Sequence, residues 1–197
     1  MLLHEKLADK HLILASASPR RRQLMEEAGM RFRLAAKFEC DESYPVTMPA
    51  ADVASYLSAL KSDAYPEELA EGEILVTADT TVVVGDEVLG KPANRDEACQ
   101  MLRSMSGRRH KVYTGVTLRS REKKHTFTVE TLVYFREIGD DEIAYYVDNY
   151  RPYDKAGAYG IQEWIGYVAI DRIEGSFFNV MGLPVQRLYT ELMAFVD

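Results

Sequence analysis

The sequence predicts a mixed α/β fold, and three observations carry that prediction. Short apolar runs, Leu12-Ile13-Leu14-Ala15 and Ile74-Leu75-Val76, have the length of buried strands. Segments with apolar residues at helical spacing, 51–64 and 185–196, alternate with them. Between these lie two longer β-rich segments, 112–118 and 127–138, that read as a pair. Strands alternating with helices around a hairpin-rich middle belong to the α/β class.

Taken in order, Leu12 to Ala15 is a strand, and a helix follows from Pro19. Ser18 directly before that proline suits its N-cap. The helix is expected to bury Leu24, Met25 and Ala28 and to stop at Gly29. Phe32 to Phe38 reads as a second strand, and a loop rich in carboxylates and proline runs on to Pro49. The next helix spans Ala51 to Ala64 with an apolar stripe of Val53, Leu57, Leu60 and Ala64, and Lys61 lies at its edge. Ile74 to Ala78 and Thr81 to Val84 are β-rich, with Asp79-Thr80 as an interruption. Gly85-Asp86 is a turn and Val88-Leu89 the return strand. Asn94 with Glu97 resembles a capping box for a helix burying Ala98, Leu102 and Met105, which Gly107 ends. Asp140 opens a helix with Ile143, Tyr146, Val147 and Tyr150 on one face, and Arg151-Pro152 stops it. Val168 to Ile173 is a strand, and Val185 to Val196 a closing amphipathic helix.

Composition narrows the class of function. A chain of 197 residues makes one domain or two tightly joined lobes, and 47% hydrophobic content is enough for a full core. A net charge of -7 argues against general nucleic-acid binding but leaves room for a small basic pocket. Cys40 and Cys99 form neither a disulfide framework nor a CxxC pair. The polar N-terminus is unlike a secretory signal, and no segment approaches the roughly 18 apolar residues of a membrane span. The expectation is a reduced, cytoplasmic protein without a membrane partner.

Chemistry concentrates first at Ser16-Ala17-Ser18-Pro19-Arg20-Arg21-Arg22. Hydroxyls and unpaired N–H groups at a helix start accept anions, and guanidinium forks match phosphate oxygens. Positive charge there opposes the helix dipole unless an anion visits. The same residues also fit a serine-capped helix with solvated arginines. Asp79-Thr80, after an apolar strand, is placed to bind Mg²⁺ or activate water, or is a polar break between strands. Asp41-Glu42 is a carboxylate pair that can hold a hard cation, although loop acids are usually just solvated. Lys61 and Lys91 fit phosphate contacts or plain solubilising roles. In Tyr153–Gln162 the glycines admit close approach of a ligand, and the Gln162 amide can read a base edge. No Walker A, GxGxxG or HExxH motif is present.

Taken together, six segments in order resemble the Maf family of nucleoside triphosphate pyrophosphatases, from about Leu12 to Leu188. They are Ala-Ser-Ala-Ser-Pro-Arg-Arg, Ala-Asp-Thr, Val-Leu-Gly-Lys-Pro, Leu-Arg-Ser-Met-Ser-Gly, Asp-Lys-Ala-Gly-Ala-Tyr-Gly-Ile-Gln and Asn-Val-Met-Gly-Leu-Pro. The resemblance implies a Maf/ITPase-like domain over residues 1–197, an elongated mixed sheet flanked by helices, with two lobes around a nucleotide cleft. It implies cleavage of a nucleoside triphosphate between the α and β phosphates with a divalent cation, Mg²⁺ or Mn²⁺. The Asp154–Gln162 loop looks like the branch acting on dTTP and UTP, not the 7-methyl-GTP branch. Asp79 matches the proton acceptor; Arg20, Thr80 and Gln162 match specificity positions. Ser16, Ser18, Arg21, Lys61, Lys91 and Lys155 match polar or basic pocket positions. Glu42 matches the loop acid that, with Asp79, holds the metal. Phe177, Met181 and Trp164 depart from the common pattern, and Trp164 lies where it could tune base selection. The partner implied is a small nucleotide, and family members are often homodimers. A nucleotide-binding regulator of cell division is the competing reading; retention of Asp79, Glu42, Lys61 and Lys91 favours the enzyme.

Overall fold

A computed structural model describes residues 2–197. In chain order the elements are α1 (Leu3–Lys6), β1 (His11–Leu14), α2 (Pro19–Glu27), β2 (Phe32–Leu34), α3 (Ala50–Asp63), β3 (Glu73–Val84), β4 (Glu87–Leu89) and α4 (Arg95–Met105). They continue as β5 (Arg109–Arg119), β6 (Lys124–Phe135), α5 (Asp140–Tyr150), α6 (Trp164–Ala169), β7 (Ile170–Glu174), α7 (Phe177–Met181) and α8 (Val185–Phe195). Among the described residues the strands form one seven-stranded sheet in the order β2-β1-β3-β5-β6-β7, with β4 paired to β3. The sheet is mixed: β1 runs parallel to β2 and β3, whereas β4 on β3 and β7 on β6 are antiparallel. The predicted mixed α/β class holds, and no described helix is long and apolar enough to cross a membrane.

The chain divides into two compact units. The first takes the chain up to Asp79, Thr114–Val129 and Gly182–Asp197. The second takes Thr80–Tyr113 and Glu130–Met181, so β3, β5 and β6 each contribute to both.

In the first unit, β1 is buried throughout Leu12-Ile13-Leu14, as a parallel strand covered on both faces must be. Leu24 and Met25 of α2 are buried as expected, but Ala28 is exposed, because the helix ends at Glu27. The predicted strand to Phe38 stops at Leu34. Its partner β1 ends at Leu14, whose carbonyl accepts the last ladder bond from Ala35 N–H. The buried face of α3 is Val53, Ala54, Leu57, Ser58 and Ser62, while Leu60 and Ala64 are only half-buried. At Ser58 a polar residue suits the buried face because the strands beneath offer threonines. Ser58 Oγ lies 2.9 Å from Thr117 Oγ1, and Thr77 Oγ1 donates to the Ser58 carbonyl at 2.7 Å. Gly115 lets α3 approach β5 this closely: a Cβ there would lie 2.3 Å from the Ala54 carbonyl oxygen.

In the second unit, α4 and α5 pack together, burying Ala98, Leu102 and Met105 with Ile143, Tyr146 and Val147. Asn94 Oδ1 accepts the Glu97 N–H at 3.0 Å, the cap the sequence announced. Arg151 takes the left-handed conformation that ends α5. Tyr145 and Tyr150, unlike Tyr146, are exposed. His110 is buried edge-on against Phe135 and Tyr159, with ring centroids 4.9 and 5.4 Å away. Other predicted boundaries change. The segment expected as a strand from Val168 begins as α6 and becomes β7 only at Ile170. The paired strands are β5 and β6, one extended at both ends and the other ending at Phe135. Asp79-Thr80 does not interrupt the chain's longest strands, because β3 runs unbroken from Glu73 to Val84.

Candidate functional site

The first unit gathers the sequence's acid, lysine and arginine signals. Beyond β1, Ser16 Oγ accepts the Ser18 N–H at 3.2 Å and Arg21 Nη1 at 3.3 Å. Ser18 caps α2 by accepting the Arg21 N–H at 3.5 Å. The Arg21 guanidinium donates from Nε to the Gly182 carbonyl at 2.7 Å and from Nη1 to the Ala78 carbonyl at 2.8 Å. It is thus held against the backbone beside Asp79. Burial lowers its pKa most, the Asp79 charge raises it, and neighbouring Arg20 lowers it again. Arg20 itself is half-buried. The helix-start arginines therefore do two things: Arg21 fixes the turn to β3, and both concentrate positive charge there.

Lys61 is the hub of this cluster. It projects from α3, and its Nζ lies 2.5 Å from Asp79 Oδ1 and 3.0 Å from Glu42 Oε2. Asp79 is buried within β3, not at a strand end as the sequence suggested. Glu42 comes from the irregular loop before α3, and its side chain is half exposed. Between the two loop acids left open by the sequence, Glu42 is the one that reaches Lys61. Two carboxylates converging on one cation is a donor set of hard oxygens, the kind that holds Mg²⁺ or Mn²⁺ when phosphate and water complete the shell. Among the described residues no three His, Cys, Asp or Glu side chains gather as a closed metal cage.

The second unit holds the remaining expected residues. Thr80 is half-buried and Lys91 exposed. The loop 153–162 is seated on the turn that carries Lys91: Gly157 N–H donates to the Gly90 carbonyl at 3.0 Å. Gly157 has φ +69°, and a Cβ there would meet the Val82 side chain at 2.9 Å, so only glycine fits. Ala158 follows with φ 58°, a left-handed conformation unusual for alanine. Tyr159 OH meets His110 Nε2 at 2.7 Å. Burial pushes the His110 pKa down to about 3, so its ring stays neutral.

Lys155 is buried, its Nζ 2.8 Å from Asp154 Oδ1 and 3.0 Å from Glu163 Oε1. The Gln162 side-chain oxygen is buried and has no hydrogen-bond partner. Sequence reasoning missed Glu163 and Tyr146, which hydrogen-bond to each other. The one available signal was an acid placed directly between Gln162 and the apolar Trp164-Ile165. The carbonyls of Ala78 and Gly182 that hold Arg21 carried no side-chain signal at all.

Residues 11–195 match the family described as Maf-like protein. A dTTP/UTP pyrophosphatase of Parabacteroides distasonis is 49% identical over 191 residues, covering 97% of this chain and 99% of that protein. A dTTP/UTP pyrophosphatase of Bacteroides thetaiotaomicron is 50% identical over 185 residues, covering 93% of this chain and 96% of that protein. Among solved structures, a HAM1 protein from Coxiella burnetii is similar at a TM-score of 0.48 and 14% identity, over 94% of this chain and 99% of that one. The chain belongs to the Maf-like family.

Proposed function

We propose that this protein is a nucleoside triphosphate pyrophosphatase that converts dTTP and UTP to their monophosphates and pyrophosphate. The observation that carries the reading is the convergence of buried Asp79 and loop acid Glu42 on Lys61, with Arg21 hydrogen-bonded to the carbonyl next to Asp79. Relatives named dTTP/UTP pyrophosphatase, nearly half identical over almost the whole chain, support the substrate assignment.

The chemistry asks mainly for positioning and charge neutralisation. Ser16, Ser18, Arg20, Arg21 and Lys61 would bind phosphate oxygens. Glu42 and Asp79 would hold Mg²⁺ or Mn²⁺, which when bound neutralises phosphate charge. Asp79 accepts the proton of the attacking water as its oxygen bonds to the α-phosphorus. The bond from the α-phosphorus to the α–β bridging oxygen breaks, and pyrophosphate leaves with that oxygen. Lys61 fixes the Asp79 carboxylate for this transfer. Lys91 and Lys155 add positive charge, while Thr80 and Gln162 take the specificity roles. The unpartnered Gln162 oxygen is an acceptor suited to the N3–H that uracil and thymine share and cytosine lacks. A cytoplasmic setting, a homodimer and no nucleic-acid partner belong to the same reading, and the net charge of -7 supports the last.

The test is pyrophosphate release from dTTP, UTP, CTP, GTP, ATP and 7-methyl-GTP with Mg²⁺ or Mn²⁺. Release confined to dTTP and UTP is expected. Turnover of 7-methyl-GTP alone reassigns the branch, and nucleotide binding without any turnover points to a regulator.

A further inference from the structure

We infer that Glu163 is a positioning residue for substrate selection, holding the Lys155–Gln162 loop in the shape that presents the Gln162 amide. The inference rests on the functional reading above and concerns how the proposed specificity position is held.

Glu163, Lys155, Tyr146, Gly160 and Gln162 all lie within the second unit. One carboxylate oxygen of Glu163 takes the Lys155 ammonium at 3.0 Å. The other accepts the Tyr146 hydroxyl. Tyr146 comes from the buried face of α5 and is fully buried, so it is a fixed post. Its hydroxyl in turn accepts the Gly160 N–H at 3.0 Å. Burial and the Glu163 contact raise the Tyr146 pKa, which keeps the phenol a donor. Glu163 thus joins the start of the loop, at Lys155, to its middle, at Gly160, through a rigid helix.

Three side chains crowd the space beside Gly160. A Cβ on Gly160 would sit 2.9 Å from Gln162 Nε2, 3.0 Å from Glu163 Cδ and 3.0 Å from Lys155 Cε. The Gln162 amide therefore packs beside the Glu163 carboxyl group and the Lys155 stem. A half-buried carboxylate shared between one ammonium and one phenol limits the freedom of its neighbours. Asp154, the other partner of Lys155, is largely exposed.

The experiment compares wild type with Glu163→Gln, which keeps the shape and removes the charge, Tyr146→Phe, and the double variant. KM and kcat are measured for dTTP, UTP and CTP, with circular-dichroism melts to show folding. The expected result is a rise in KM for dTTP of about tenfold with kcat changed less than about twofold. The preference for dTTP over CTP in kcat/KM should fall by a similar factor. Because both residues act through one chain of contacts, the double variant should lose no more than the worse single one. Folded variants with unchanged KM and unchanged preference, while wild type turns over dTTP and UTP, overturn this inference alone. A wild-type protein that turns over neither nucleotide overturns the functional reading and the inference together.

Discussion

Two lysines in this molecule share a plan and differ in how it is built. Lys61 lies between Asp79 and Glu42, and Lys155 between Glu163 and Asp154. Each has one sheltered carboxylate and one exposed one: the side chains are 12% and 53% exposed in the first set, 19% and 58% in the second. In the first set, lysine and sheltered acid stand on separate regular elements, α3 and β3. In the second, all three residues come from one short stretch, 154–163, and side-chain hydrogen bonds to α5 do the fixing. The first arrangement should therefore fail when backbone elements shift, and the second when a single side chain is cut. The first suits bond breaking, where small misplacements are expensive. The second suits selection among ligands.

The largest expected effect removes the first set's fixed acid. Asp79→Asn should lower pyrophosphate release by a hundredfold or more, on the order of 3 kcal/mol. The circular-dichroism spectrum should stay that of the wild type, because the amide still fits β3. Substantial turnover in the folded variant would remove Asp79 from its assigned role.

Next comes a change distant in chemistry but not in mechanics. Gly115→Ala places a Cβ 2.3 Å from the Ala54 carbonyl, so α3 must move outward with Lys61. Urea unfolding should show a loss of about 2–3 kcal/mol, the upper part of the overpacking range, since backbone is what the new atom meets. Activity should fall between about 10-fold and 100-fold. If stability falls while activity holds, Lys61 does not depend on the seating of α3.

The second set has a pH-dependent support. The folded state holds His110 well below its ordinary value of 6.5, at about 3, so its stability contribution is complete above pH 6.5. It is lost progressively as pH falls from there towards 3. At pH 5 the loss amounts to about 2 kcal/mol. His110→Gln should shrink the difference in unfolding free energy between pH 7.5 and pH 5 by about that amount, measured in urea. An unchanged difference would mean that His110 does not titrate with unfolding.

The smallest effect falls on the exposed member of the first set. Glu42→Gln should raise the Mg²⁺ concentration for half-maximal activity about tenfold, near 1.4 kcal/mol. Its melting temperature should stay within a degree or two of wild type, because the side chain is half in solvent. Unchanged metal dependence would leave Asp79 as the sole proposed protein ligand.

How far the sequence could be read follows the same division. Elements with chemical punctuation were legible: Pro19 and Ser18 start α2, Asn94 caps α4, and Arg151-Pro152 ends α5. The strand through Asp79-Thr80 was not, because two polar residues resemble a break until a ladder is seen to run past them. The buried face of α3 was misjudged for a related reason. Ser58 and Ser62 are polar by type but face the sheet, where Thr77 and Thr117 meet Ser58. Among site residues, Lys61, Asp79 and Glu42 were named from motif and loop, and the structure draws them together. Glu163 escaped because its meaning lies in partners at 146 and 155, and neither distance matches a local periodicity.

The left-handed Ala158 has a kinetic consequence. Alanine holds that conformation at a conformational cost on the order of 1 kcal/mol, so its neighbours, the Gly157–Gly90 and Tyr159–His110 hydrogen bonds, must enforce it. That cost is met once, when the chain folds. If the loop reads the base as proposed, it is ordered before a nucleotide arrives, and docking costs the loop less entropy. Association should then run at the pace of encounter, and discrimination between bases should show itself in how long each one stays.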